Sequence, residues 1–130
     1  MKYLNERDLT YINARIVTQN NETPFVRNPE GLSSLVSLPQ QDFFGMSPYP
    51  SFESKVGIIF IKLIKLHCFE DGNKRTAVLT LQILCNANDY QITFSDEELA
   101  AWTIEIAKTA DSDLKYDDIY KKLESHIKKL

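Results

Sequence analysis

The stretch that decides how this chain folds covers residues 56–87: V-G-I-I-F-I-K-L-I-K-L, then H-C-F-E-D-G-N-K-R, then T-A-V-L-T-L-Q-I-L-C-N-A. The first run, residues 56–66, is apolar nearly all round, which predicts a helix buried on most faces. The last run, residues 76–87, has the same character and predicts a second central helix. Between them lie a histidine, two carboxylates, a glycine, an amide and two cations, at the junction of two buried rods. A loop that ends one helix near His67 and opens the next at Gly72 or Asn73 leaves the first-turn N–H groups of the second helix without intrahelical partners. Those groups and the helix dipole make an anion site.

Upstream of this stretch, residues 39–51 read P-Q-Q-D-F-F-G-M-S-P-Y-P-S, with too many prolines for regular helix. A loop this long is either functional or disordered, and Phe43, Phe44, Met46 and Tyr49 argue against disorder. One reading has these side chains pinning the loop onto the core; the other makes the loop an extended flap beside the central loop, able to take a protein segment as an added strand. Further back, Asn28-Pro29 is a helix cap followed by proline at the first helical position, which predicts a short helix over 30–38. Residues 20–28 are loop chemistry. Asn5 caps a first helix to about Thr18, with Leu9, Ile12 and Ile16 on one face.

Downstream, Asn88-Asp89 closes the second central helix and residues 91–94 form a short extended link. Ser95 with Glu98 is a capping box, opening a helix whose inner face is Leu99, Trp102 and Ile106. A last helix is expected over 116–129, with Ile119, Leu123, Ile127 and Leu130 on one stripe and His126 on the wet side. There is no internal repeat. The expected fold is all-α: one domain over 1–130, a compact bundle of about six helices around two buried central ones, with an extended flap loop.

Composition narrows the function classes. A chain of 130 residues buries roughly two thirds of its unfolded surface and carries its own core. A net charge of −3 and a pI near 5.4 argue against direct nucleic-acid binding, which needs a basic face to release phosphate counterions. No apolar run reaches the roughly 20 residues of a membrane span and the N-terminus lacks a signal-peptide core, so a cytoplasmic protein is expected. Cys68 and Cys85 have no C-x-x-C spacing and fit two core thiols in a reducing compartment.

Spacing removes several chemistries from the central loop. There is no H-E-x-x-H and no second histidine near His67, against a dedicated zinc site. There is no P-loop pattern. Cys68 next to His67 is poorly placed for a nucleophile and base, because neighbouring helical side chains point about 100° apart. Phosphate chemistry remains. Gly72 allows the sharp turn, backbone N–H groups around Asn73 and Lys74 cradle an anion, and Lys74 and Arg75 add charge. Asp71, rather than Glu70, is the candidate to hold Mg²⁺ against phosphate oxygens. His67 is placed to take a proton from an attacking hydroxyl, with Phe69 as the anchor that buries the loop.

The string His67, Phe69, Asp71, Gly72, Asn73, Lys74, Arg75 resembles the signature of the Fic/Doc (Fido) family, H-x-F-x-[DN]-[GA]-N-x-R. With average residue usage, the chance of this joint match is below about one in a million per position. Its N-K-R form is similar to the Doc, or death-on-curing, branch. The segment L-P-Q-Q-D-F-F-G-M-S-P-Y-P-S-F-E-S-K looks like the family's flap and helix entry, and S-D-E-E-L-A-A-W like a later helix; Cys68 fills a variable slot.

The resemblance implies an all-helical transferase that moves part of ATP, with Mg²⁺, onto a protein hydroxyl. It implies His67 as general base, Asp71 as the magnesium-side acid, Asn73 and Arg75 as phosphate-binding residues, and Phe69 as the core anchor. With Gly72 and Lys74 from the reading of the loop itself, the phosphate-binding candidates are Gly72, Asn73, Lys74 and Arg75, and the catalytic candidates His67, Asp71, Lys74 and Arg75. Lys74 in place of the glycine common in Fic enzymes implies a Doc-like kinase, by resemblance acting on elongation factor Tu and inhibiting translation. Fic-type AMP transfer is the alternative, and a catalytically silent nucleotide-binding module is the non-enzyme alternative. The family's autoinhibitory motif, [ST]-x-x-x-E-[GN], is not found in the chain, so regulation by a small antitoxin protein is expected.

Overall fold

In the computed structural model, which describes residues 1–130, the chain runs α1 (Glu6–Gln19), α2 (Pro29–Ser37), α3 (Phe52–Lys65), α4 (Asn73–Ala87), β1 (Tyr90–Ile92), α5 (Asp96–Lys108), α6 (Tyr116–His126) and β2 (Ile127–Lys129). Short 3-10 turns sit at Leu38–Gln40 and Asp111–Asp113. The mostly helical fold and the count of six helices agree with the sequence reading. None of the helices is long and apolar enough to cross a membrane.

The helix α3 is the axis. Val56, Gly57, Ile58, Ile59, Phe60 and Ile61 are all buried in succession, as an all-round apolar run requires. Around it pack α2, α4, α5 and α6. The helix α4 departs from expectation. It buries one face through Thr76, Ala77, Thr80, Leu81, Leu84 and Cys85, while Leu79 is exposed. It lies at the edge of the bundle, between α1, α3 and α5, so its outer face has nothing to cover it.

Helix starts follow the capping chemistry. The Asn5 side chain accepts the Asp8 N–H and Asp8 returns the bond to the Asn5 N–H. Asn28 accepts the Gly31 N–H with Pro29 at the first helical position. Ser95 and Glu98 form both halves of their box. Ser51 and Ser54 form a reciprocal cap that starts α3 four residues before the apolar run.

At the C-terminus the expected helix over 116–129 is too long. α6 stops at His126, and Ile127–Lys129 pairs antiparallel with Tyr90–Ile92, Ile127 lying opposite Ile92. The Thr93 N–H donates to the His126 carbonyl and the Leu130 N–H to the Asp89 carbonyl. β-branched Ile127 fits an extended strand as well as a helix, and the partner strand satisfies its backbone. Leu130 is accordingly exposed rather than part of an apolar stripe. His126 is not a free surface residue either. Its ring stacks on Phe94 at 4.0 Å and 5°, and Phe94 stacks on Trp102.

The loop over 39–51 matches neither reading in full. Lys55 ties it to the top of α3 through Pro39 O, Ser47 Oγ and Tyr49 O. Its tip is a tight turn in which Phe43 and Met46 exchange backbone hydrogen bonds and Phe44 and Gly45 both have positive φ, the geometry of a hairpin turn. Phe43, Phe44 and Met46 are all exposed, so they do not pin the loop to the core.

Two expectations test this packing. Where α3 crosses α6, a Cβ on Gly57 would come within 2.6 Å of Tyr120 Cδ1 and 2.8 Å of its Cε1. Gly57→Ala is therefore expected to lower the free energy of unfolding by about 1–3 kcal/mol, read from the urea midpoint; an unchanged midpoint would show that the two helices slide apart freely. The second concerns Cys68 and Cys85, both free and buried. Burial pushes the Cys68 thiol up to about 11 and, helped by Glu53, the Cys85 thiol up to about 12. Both lie above their ordinary 9.0, so the neutral thiol is the form the fold favours. The stability they lend is complete below pH 9 and is lost as pH climbs through the folded values. The urea midpoint should fall between pH 9 and 12 in parallel with the appearance of thiolate absorbance, and thiol reagents should label neither cysteine at neutral pH until the chain unfolds.

Candidate active site

The loop between α3 and α4 is tied by backbone hydrogen bonds to a segment far back in the chain. Val26 and Phe69 form an antiparallel bridge. The Arg27 and Asn28 N–H groups donate to the Cys68 carbonyl at 2.8 and 3.1 Å, and the Glu70 N–H donates to the Phe25 carbonyl at 3.0 Å. Cys68 and Phe69 are buried at the base of the loop, as the anchoring role expected of Phe69 requires. His67 and Glu70, which flank this buried pair, are exposed.

His67 stands just beyond the C-terminal cap of α3, with φ 48°. That is the left-handed region, which costs a non-glycine residue about 1–2 kcal/mol and is tolerated where surrounding bonds over-determine the backbone. Here the bonds come from Asn28, whose Nδ2 donates to the Leu66 carbonyl at 3.1 Å, and from the Arg27 and Asn28 amides on Cys68.

At the other end of the loop Gly72 caps α4 with φ 76°. Its carbonyl accepts the Thr76 N–H, while the N–H groups of Asn73, Lys74 and Arg75 have no backbone acceptor. A Cβ at Gly72 would lie 3.0 Å from Val17 Cγ1 and 3.3 Å from Asn13 Nδ2. Asn13, almost wholly buried on α1, donates to the Asp71 carbonyl at 2.8 Å and to Thr76 Oγ1 at 3.1 Å. Asn73 spends its side chain on the loop itself: Oδ1 accepts the Phe69 N–H and Nδ2 donates to the Phe69 carbonyl. What Asn73 offers an anion is therefore its backbone N–H.

These groups line one cleft of about 800 Å³, within the range of small-molecule sites. His67, Glu70, Asp71, Gly72, Asn73 and Lys74 are on its wall, facing Lys62 and Lys65 of α3 and Lys108 of α5. Arg75 is not among the cleft's lining residues. It borders a separate apolar groove between α4 and α5 with Val78, Leu79 and Ile104. No residue of the loop over 39–51 lines the cleft; that loop is tethered at Lys55, about 15 Å along α3 from the helix's C-terminal end.

No three His, Cys, Asp or Glu side chains come together as a cation site. Asp71 is a single exposed carboxylate beside unpaired N–H groups. That donor set suits Mg²⁺, which binds through one or two carboxylates together with phosphate oxygens and water, and does not suit zinc.

Sequence reasoning missed Asn13, Arg27 and Asn28. Asn28 carried a signal, as a helix cap, but its second bond to Leu66 did not. Asn13 is a polar residue one position after the apolar Ile12 on a helix's inner face, and a buried polar group demands a partner. That much was readable; which partner was not.

A family model described as the Fic/DOC family matches residues 3–85, from just before α1 to the last turn of α4. No curated relative matches the chain.

Proposed function

This chain belongs to the Fic/DOC family, and from that premise we propose that it transfers part of ATP onto a hydroxyl of a protein, with the γ-phosphate as the group moved. The observation that carries this reading is the single cleft in which His67, Asp71, Gly72 and Lys74 meet the unpaired N–H groups that open α4. Membership by itself supports nucleotide-dependent protein modification; kinase activity, and its Doc-like character, are the finer proposal.

ATP with Mg²⁺, when bound, supplies the phosphoryl group and leaves as ADP. The backbone N–H groups of residues 73–75 and the Lys74 ammonium would hold phosphate oxygens, and Asp71 would hold the metal. His67 would accept the proton of the acceptor hydroxyl as its oxygen bonds to the γ-phosphorus and the bridging P–O bond to ADP breaks. Arg75, at the third position of α4, contributes its N–H; its guanidinium would have to swing from the α4–α5 side to reach phosphate. The Lys74 stem fills space that a glycine would leave open, which favours a nucleotide bound with its terminal phosphate at the imidazole. The exposed tip of Phe43, Phe44 and Met46 would grip the body of the target protein, a translation factor such as elongation factor Tu. Control by a small antitoxin is part of the same proposal.

The test is label transfer from ATP to proteins of a bacterial lysate. Incorporation from γ-labelled and not α-labelled ATP is expected. Incorporation from the α-label alone would replace the kinase reading with AMP transfer, and ATP binding with neither label incorporated would reduce the protein to a nucleotide-binding module.

A further inference from the structure

His67 has two open sides. Besides the large cleft, His67 borders a second cleft of about 430 Å³, lined by Arg27, Asn28, Leu66 and His67. Leu66 and His67 are the only residues lining both clefts, so they form the ridge between them. The second cleft contains none of the phosphate-cradling residues Gly72, Asn73 or Lys74. In an in-line displacement the attacking and leaving oxygens lie on opposite sides of phosphorus. A base that serves such a reaction meets the nucleotide from one side and the acceptor from the other, and this ridge has that form.

In the second cleft Asn28 is already committed, its Oδ1 to the Gly31 N–H and its Nδ2 to the Leu66 carbonyl. Arg27 is not. Its backbone is fixed beside the site, donating its N–H to the carbonyl of Cys68, the residue after His67. Its side chain is 61% exposed and reaches Glu70 only at 4.0 Å, too long for a hydrogen bond and worth little at an exposed surface. A guanidinium carries five donors in a fork that fits a carboxylate with two parallel bonds. Arg27 lines the same cleft as His67 and is nearly unpaired.

We infer that the Arg27 cleft receives the acceptor segment, and that Arg27 selects segments bearing an aspartate or glutamate beside the acceptor hydroxyl. On binding, Arg27 exchanges its loose contact with Glu70 for the incoming carboxylate. The inference rests on the reading of His67 as the base toward a protein hydroxyl, and it adds the class of segment that the base meets.

The test uses the full chain without ATP, so that it stands apart from transfer. Short fluorescent peptides of one sequence carry a central threonine flanked by glutamate, glutamine or lysine, and binding is read by anisotropy. The imidazole signals of His67 are followed by NMR, with His126 as internal reference. The glutamate peptide should bind roughly five- to tenfold more tightly than the glutamine one and shift the His67 signals, with the lysine peptide weakest. Arg27→Gln should erase the preference and Arg27→Glu should turn it toward lysine. Equal binding of the three peptides, a glutamate preference that survives Arg27→Gln, or binding that leaves His67 unmoved would overturn the inference. So would a comparable loss of ATP affinity in Arg27→Gln, which would place the guanidinium on the nucleotide. If the charge preference appears while no label moves from ATP to any protein, the acceptor cleft stands and the transfer reading falls.

Discussion

Replacing His67 with alanine is expected to lower label transfer from γ-labelled ATP about 10²- to 10⁴-fold, the usual contribution of a positioned general base, equivalent to about 3–5 kcal/mol of barrier. The ring is exposed at a ridge and packs no core, so the urea midpoint of the variant should stay close to that of the parent. A sharper control follows from the backbone. His67 holds φ 48°, a conformation that glycine adopts without penalty, so His67→Gly should be no less stable than His67→Ala and just as inactive. Affinity for ATP should change little in either, because the cradle lies at the other end of the loop. Transfer within a fewfold of the parent in both variants would remove the imidazole from the chemistry.

The second large effect is expected at Gly72. Alanine there meets three penalties at once: φ 76°, Val17 Cγ1 at 3.0 Å and the Asn13 amide at 3.3 Å. A left-handed backbone alone costs a residue with a Cβ about 1–2 kcal/mol, and pushing Asn13 away weakens its bond to the Asp71 carbonyl. Gly72→Ala should lower the free energy of unfolding by about 2–3 kcal/mol. Gly72→Val, branched at Cβ, should cost more. The same shift moves the first-turn N–H groups of α4, so calorimetric affinity for ATP should drop by about tenfold, or 1.4 kcal/mol. A stable Gly72→Ala with parental ATP affinity would show that the anion site does not depend on this turn.

The two predictions separate the halves of the site. His67 variants should lose chemistry and keep fold and nucleotide; Gly72 variants should lose fold and nucleotide together. If both classes lost stability equally, the loop would be structural and the cleft incidental.

Much of this architecture was legible before any coordinates. The unbroken apolar residues from Val56 to Ile61 required a central helix, and Asn5, Asn28 and Ser95 marked helix starts with side chains that satisfy first-turn N–H groups within three residues. Other features were not legible for reasons that can be named. Ile127 carries equal licence for helix and strand, and only pairing with Ile92 decided between them. The outward side of α4 looked like core because Leu79 is apolar, yet it is exposed, and a hydrophobic residue does not itself say whether a neighbour exists to cover it. Arg75 belongs to the motif in sequence, but its position in the first turn aims it at α5 rather than into the cleft.

What the sequence determined alone was everything set by neighbours along the chain: the helices, their caps, and a loop in which His67, Asp71, Gly72 and Lys74 had to lie close together. The tertiary structure decided which way that loop opens. The amides of Arg27 and Asn28 on the Cys68 carbonyl and the Asn13 amide on the Asp71 carbonyl, 58 residues apart in sequence, hold it in one conformation with the imidazole on a ridge between two clefts. The reason is that buried and half-buried backbone groups in an irregular loop must find partners. No periodicity tells which distant segment will provide them.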